Sequence, residues 1–264
     1  MHVSYSELTN WYRCPYYHKL IHFDKIAAFK GNEYTAFGKA VHDTCESVLN
    51  NKIKDPVKHF KVTFLNELKT LKKQDSSYAF KKILITELKE QGSKLARIAI
   101  PALDEHFGKY SVISTEEMLY EPIDEFDTEK FNFKGFIDLV IKTDDGVYHI
   151  IDWKTCSWGW DSRKKSDKQT VYQLVFYKHY FAKKHGIDPD NIETHFALLK
   201  RKAPKNSDDV EFCKITSGKK RTQNAIKFMK TALYNISNKQ FIKNRLACKD
   251  RWGFCKFYKT DHCT

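Results

Sequence analysis

Two aspartates and a lysine stand in neighbouring segments near the middle of the chain, Gly135-Phe136-Ile137-Asp138-Leu139-Val140 and Ile150-Ile151-Asp152-Trp153-Lys154-Thr155. Thr143-Asp144-Asp145-Gly146 lies between them, and an Asp-Gly pair between two apolar runs is a strong signal for a hairpin turn. Side chains alternate along a strand, so Asp152 and Lys154 share the face opposite Ile151 and Trp153. Pairing across the turn brings Asp138 into the same neighbourhood. Two carboxylates offer hard oxygen ligands for Mg²⁺ or Mn²⁺. A metal held there lowers the pKa of a bound water and stabilises charge on a phosphate. A lysine beside it orients or deprotonates the water and offsets developing negative charge. An Asp-x-Lys by itself is equally a surface salt bridge, but here apolar residues precede it and place the acid at the end of a buried strand.

The elements that must position these groups follow from periodicity. Ser4 or Ser6 caps a first helix that runs to about Cys14, with Pro15 ending it. Residues 35–50 carry apolar positions at Phe37, Val41, Cys45, Val48 and Leu49, which is helical spacing. Residues 55–72 and 77–108 continue the helical pattern, with Pro101 and Gly108 punctuating its end. Three strands rich in Ile, Val, Phe and Tyr follow at 116–126, 130–143 and 146–156. Residues 168–185 return to helix, 195–202 and 210–216 read as strands, and 219–239 as a last long helix. The expected fold is α/β: a central mixed β-sheet flanked by helices, with a helical insertion and a cysteine-rich C-terminal segment. The whole of 1–264 is expected to be one domain, divided into an N-terminal helix (1–34), a helical region (35–110), a sheet-and-helix core (111–218) and the C-terminal helix with its cysteines (219–264).

Four motifs in this order resemble the PD-(D/E)xK nuclease superfamily and, within it, the RecB-like exonucleases. Gly38 and His42 match a G-x-x-x-H motif on an early helix. Gly135-x-x-Asp138 supplies a first acid, Asp152-x-Lys154 a second acid and the lysine, and Gln173-x-x-x-Tyr177 a Q-x-x-x-Y motif in the helix after the core strands. The opening SYSELTNWYRCPYYHKL is also similar to the RecB-like start, where a helix leads into a Cys-Pro pair, and the resemblance implies a restriction-endonuclease-like core for the sheet. The resemblance implies that His42, Asp138 and Asp152 bind Mg²⁺ or Mn²⁺, helped by the backbone carbonyl of Trp153. Lys154 then positions or activates the attacking water, while Gln173 and Tyr177, which share a helix face, hold Lys154 or contact the DNA backbone. Glu46, four residues from His42, is a supporting partner or a solvated charge. Taken singly, each of these is also an ordinary helix or core residue.

Many RecB-like nucleases carry a 4Fe-4S cluster held by one cysteine before the core and three after it. This chain offers Cys14, then Cys248, Cys255 and Cys263. Their spacings, C-x6-C and C-x7-C, depart from the close C-terminal pair of the familiar pattern. Zinc is an alternative for four thiolates, and so is no metal, with the cysteines packing as small apolar residues. Trp252, Phe254, Phe257 and Tyr258 are the aromatic residues available to shield a cluster. Cys45, Cys156 and Cys213 lie within core elements and read as packing.

Lys and Arg number 46 against 33 Asp and Glu, a net charge of +13. That excess draws a polyanion, which fits DNA as the partner. No apolar run is long enough for a membrane span, and the first residues lack a signal-peptide core, so a cytoplasmic protein is expected. The odd cysteine count, without a secretion signal, argues against a disulfide framework. No P-loop occurs, and helicase coupling would need a partner chain such as a helicase or recombination protein. The leading reading is a metal-dependent DNA exonuclease acting on single strands or ends, with residues 50–108 roofing the site. Its rivals are an endonuclease of the same fold, a non-catalytic DNA-binding module and a zinc-stapled scaffold. Phage recombination, DNA repair and CRISPR spacer acquisition all use this family.

Overall fold

The computed structural model describes residues 1–26, 31–124, 126, 130–250 and 253–263; Trp252 lies outside them. In chain order the elements are β1 (His2–Ser4), α1 (Tyr5–Arg13), α2 (Pro15–His18), a π-helical turn (Lys19–Phe23), α3 (Glu33–Leu49), α4 (Pro56–Gln74) and α5 (Lys82–Phe107). The sheet region follows: β2 (Tyr110–Pro122), β3 (Asn132–Thr143), β4 (Tyr148–Cys156), α6 (Ser162–Ser166), α7 (Lys168–His185), β5 (Ile192–Lys200) and β6 (Val210–Lys214). The chain then forms α8 (Lys219–Ser237), a 3-10 turn (Arg245–Cys248), β7 (Lys249–Asp250) and β8 (Gly253–Phe254). These elements belong to two compact units, one of Met1–Phe29, Leu119–Gly135 and Gly218–Thr264, the other of Lys30–Met118 and Phe136–Ser217.

The second unit holds a mixed sheet. β3 and β4 pair antiparallel through Leu139–Ile151, Val140–Ile150, Ile141–His149 and Lys142–Tyr148. The expected turn closes this hairpin, with Gly146 at φ 88°, where glycine carries no Cβ penalty. β4 pairs parallel with β5 along Tyr148–Cys156 and Ile192–Lys200, and β5 pairs antiparallel with β6. One face of the sheet contributes Leu139, Ile141, Ile151, Trp153, Ala197 and Leu199 to a core with α3, α4 and α5. On the other side, α7 packs against β4 and β5. A central mixed sheet with helices on both faces is therefore present.

Local chemistry explains the helix limits. Asn32 and Thr35 form a reciprocal capping box at the start of α3. Asp55 caps α4, and Pro56 occupies its first turn, where a missing N–H costs nothing. Gly186 ends α7 in the left-handed conformation at φ 64°, after a basic last turn. Three boundaries differ from the sequence reading. α5 begins at Lys82 instead of 77, β2 begins at Tyr110 and ends at Pro122, and Pro101 lies inside α5 instead of near its end. Pro101 and Arg97, the residue four positions before it, are both exposed, so the carbonyl left without an N–H partner faces water. α4 and α5 cover the face carrying Ile151 and Trp153, not the face carrying Asp152.

In the first unit, β1 runs parallel to the start of β3, pairing His2–Asn132, Val3–Phe133 and Ser4–Lys134. Ser4 then caps α1 by accepting from the Glu7 N–H at 3.2 Å. α1 packs against α8, where the ring of Trp11 meets Phe228 edge-on, 6.1 Å between centroids. Among the described residues no helix is long and apolar enough to cross a membrane.

Candidate active site

All seven residues of the expected nuclease site, His42, Asp138, Asp152, Trp153, Lys154, Gln173 and Tyr177, lie in the second unit. The β3–β4 ladder runs up to the pair Leu139–Ile151. Beyond it the Trp153 N–H donates to the Asp138 side chain, at 2.8 Å to Oδ2. Asp138 is thus fixed by a backbone donor at the point where its own strand leaves the ladder. His42 reaches the same oxygen from α3, with Nδ1 at 3.4 Å from Asp138 Oδ2. Gly38, one turn earlier, brings α3 close to β4: a Cβ there would meet Thr155 Oγ1 at 3.5 Å.

Asp152 is 1% exposed. Gln173 Nε2 donates to its Oδ1 at 2.9 Å and also to the Tyr177 hydroxyl oxygen at 3.0 Å. Asp152 Oδ2 is buried without a well-angled hydrogen bond, although Lys154 Nζ is in ion-pair contact with it. Lys154 is thus the cation that faces this oxygen.

The charges at the site are strongly perturbed. Burial holds the Asp138 carboxyl well above the usual carboxylate range, and the neighbouring Asp152 adds to this. Burial also pushes His42 down to about 4, against the pull of Asp152, so the imidazole is neutral at pH 7 and carries a free lone pair. For Lys154, burial works against the charged amine, but Asp152 and Asp138 outweigh it and raise the pKa above its ordinary value. Burial and the Asp152 charge raise the Tyr177 hydroxyl, which stays protonated. Two buried acids repelling each other beside a neutral imidazole form a set that lacks one positive charge. A divalent cation fits that deficit, and oxygen-rich ligands suit Mg²⁺ or Mn²⁺.

Glu46, which sequence spacing left undecided, and Glu116 differ in their surroundings. Glu46 pairs with Lys52 at 3.1 Å and accepts from Asn50 at 3.4 Å, an arrangement of a solvated charge. Glu116 carried no motif signal. Yet its carboxyl is raised by partial burial and by Glu46, Asp152 and Asp43, so it belongs to the same acidic neighbourhood. It sits on β2 at φ 48°, a backbone state that strand spacing does not announce.

The four cysteines expected to act together do meet, in the first unit. Cys14, Cys248, Cys255 and Cys263 line one pocket with Tyr16, Tyr17, Phe257 and Tyr258. Asn244 ties the two ends of this wall, its N–H donating to Cys14 Sγ at 3.4 Å and its side chain to the Arg13 carbonyl at 2.9 Å. The Cys248 thiol is raised by burial and by Cys255, Cys263 and Cys14. Cys45, by contrast, is buried in the core, its thiol pushed up to about 12 by burial, as expected of packing.

A sequence profile of the PD-(D/E)XK nuclease superfamily matches residues 2–257. No curated protein matches the sequence. Among solved structures, a protein from Eubacterium rectale whose name designates it, provisionally, an exonuclease superposes with a TM-score of 0.56 at 12% identity, over 98% of this chain and 88% of that one. The structure of SSO0001 aligns with a TM-score of 0.39 at 14% identity, over 72% of this chain and 91% of that one. The first likeness supports the fold; the family rests on the profile. With nearly the whole sequence matched, this chain belongs to the PD-(D/E)XK nuclease superfamily.

Proposed function

We propose that this protein is a metal-dependent DNA exonuclease of RecB-like type, hydrolysing phosphodiester bonds on single strands or DNA ends. The observation that carries the reading is that His42 stands beside Asp138 while the charged Lys154 pairs with the buried Asp152, the Trp153 N–H holding Asp138 between them. His42, both aspartates and the Trp153 carbonyl would hold Mg²⁺ or Mn²⁺. When bound, the ion supplies charge for the phosphate and acidifies a water. Lys154, held as an ammonium, orients the attacking water and offsets charge on the phosphate; it does not serve as a base in that state. Gln173 holds Asp152 in place from behind and shares its amide with Tyr177. The exonuclease name of the Eubacterium rectale protein agrees with this reading. A location in the cytoplasm and DNA as the partner are parts of the same proposal.

The deciding experiment is cleavage of end-labelled linear single- and double-stranded DNA beside closed circles, with Mg²⁺, Mn²⁺ or EDTA, for wild type and Asp152→Ala. Metal-dependent release of end label by the wild type alone is expected. Cutting of closed circles would make the protein an endonuclease. Binding without cleavage, unchanged by Asp152→Ala, would make it a DNA-binding module.

The four-thiol pocket is assigned to a 4Fe-4S cluster, with zinc as the competing occupant. The supporting observation is that four cysteines from distant parts of the chain line one pocket with aromatic rings, and that the Cys248 thiol is raised by burial and by the other three. A brown protein with equimolar iron and sulfide is expected. A colourless protein with stoichiometric zinc would give the pocket to zinc.

A further inference from the structure

A second cluster of ligand-type side chains lies in the same unit, on the other face of the sheet from Asp152. His149 stands opposite Glu193 in the parallel β4–β5 ladder, and His195 follows two residues later on β5. Residues two apart on a strand share a face, so all three side chains emerge together. His149 Nδ1 lies 3.2 Å from His195 Nε2 and 3.7 Å from Glu193 Oε2; His195 Nε2 lies 3.6 Å from the same carboxylate oxygen. Three different ligand atoms thus converge on one point. His149 precedes Asp152 by three residues, about 10 Å along a strand, and its side chain points the opposite way.

The hydrogen bonds around the cluster decide which nitrogen faces inward. Thr143 spends its hydroxyl proton on Asp145 Oδ1 at 2.5 Å, so its oxygen accepts from His149 Nε2 at 3.1 Å. His149 Nδ1 is left as a bare lone pair pointing into the cluster. Glu193 uses its other oxygen, Oε1, for Lys214, which leaves Oε2 facing the imidazoles. His195 is 4% exposed, and its Nδ1 is buried with no hydrogen-bond partner. Hydrogen bonding alone does not account for such a ring: one nitrogen is unsatisfied, and the other has only His149 as a neutral acceptor. Burial keeps both imidazoles neutral, His149 below its ordinary pKa and His195 down to about 3, with His149 adding to the shift on His195. Neutral rings are the form that binds metals.

The geometry points to a zinc-class divalent transition-metal site formed by His149 Nδ1, His195 Nε2 and the Glu193 carboxylate. A tetrahedral ion with bonds of about 2.0–2.2 Å spans ligand–ligand edges of about 3.3–3.6 Å, and the three observed separations bracket that range. Two imidazoles select zinc or cobalt over the hard Mg²⁺ of the nuclease centre. Phe107 packs against both rings, at 4.9 and 5.2 Å between centroids, and Phe212 closes the wall behind Phe107. The Glu193 side chain keeps 31% of its surface in solvent, which gives the ion an entry path and a water in the fourth position. The ion bridges β4 to β5, so its effect is on the stability of the sheet and not on the hydrolytic step.

The test is made on the full chain. Crystals soaked in Zn²⁺ are measured at the zinc absorption edge, and zinc stoichiometry and melting are followed in solution for wild type, His195→Gln and Glu193→Gln. An anomalous peak among the three side chains is expected. Each variant should bind one equivalent less than wild type, with site affinity reduced beyond the roughly 10–100-fold lost when an outer partner of a metal ligand is removed. Mg²⁺-dependent DNA cleavage should persist. Glu193→Gln keeps the partly solvated position polar, which guards against simple misfolding of the buried His195 variant. No peak at the cluster, or equal zinc stoichiometry and equal zinc-induced melting shifts in wild type and Glu193→Gln, would overturn the assignment and leave the histidines as a packed, hydrogen-bonded pair.

Discussion

The site sets two acids, a lysine and a neutral imidazole close together. Asp152 is buried and Asp138 largely so, and the Trp153 N–H, Gln173 and Lys154 share the work of offsetting their repulsion. Asp138→Asn keeps an acceptor for Trp153 and removes one charge. In the metal-free protein this variant should melt higher, by about 1 kcal/mol or roughly 2–4 °C, while DNA cleavage is lost; a lower melting temperature would show that Asp138 is stabilising as a carboxylate. His42 works in the opposite direction. Its folded pKa of about 4 lies below the ordinary 6.5, so the stability tied to its neutral form is complete above pH 6.5 and is lost as pH falls towards 4. Melting curves of Asp138→Asn across that window should slope downward on the acid side, and His42→Asn in the same background should flatten the slope. Lys154→Ala should slow cleavage by about 10²–10³-fold with DNA binding retained, the loss typical of one well-placed stabilising donor. Gln173→Ala leaves Asp152 Oδ1 without its partner and should cost about 10–100-fold in metal affinity, read by Mn²⁺ titration of activity.

At the scale of elements, the strands and helices that hold the site were legible because each obeys one period. The hairpin turn and the limits of α7 follow from the Asp-Gly pair and from a 3.6-residue apolar pattern ending at Gly186. Pro101 misled because proline is penalised through its i−4 carbonyl, and sequence does not say that this carbonyl faces water. The His149–His195–Glu193 cluster was invisible for a different reason: it depends on the parallel register of β4 with β5, across a crossover through α7, and no local spacing encodes that register. Glu116 likewise depends on a left-handed residue within β2. Packing of α4 on α5 also has a single decisive residue. A Cβ on Gly92 would stand 1.9 Å from the Phe60 ring, which is fully buried. Gly92→Ala gains about 1 kcal/mol in helix propensity but overpacks a closed contact, which costs about 1–3 kcal/mol. With a clash this deep the upper end applies, so the variant should be destabilised in urea by about 1–2 kcal/mol; a rise in the midpoint would mean the helices can separate freely.

Across the whole molecule, the net charge of +13 is the feature on which the proposed capture of DNA rests. DNA affinity should fall steeply and linearly on a log–log plot against salt, because each phosphate neutralised releases a counterion. A flat plot would remove electrostatics from binding, whatever the fate of the catalytic residues. The compact units add something that motif order did not suggest. The nuclease residues lie in a unit made of two segments, whereas the four-thiol pocket lies in one made of three, drawn from the start, middle and later part of the sequence.

That discontinuity sets an order of events during synthesis. Every residue of the nuclease site has left the ribosome once Tyr177 has, and its unit is complete by Ser217. Cys14 is made early but must wait, reduced and without its partners, for Cys263 to emerge. The nuclease sheet can therefore assemble on a nascent chain before the thiol pocket closes, and insertion of any metal centre there comes after the nuclease unit is complete.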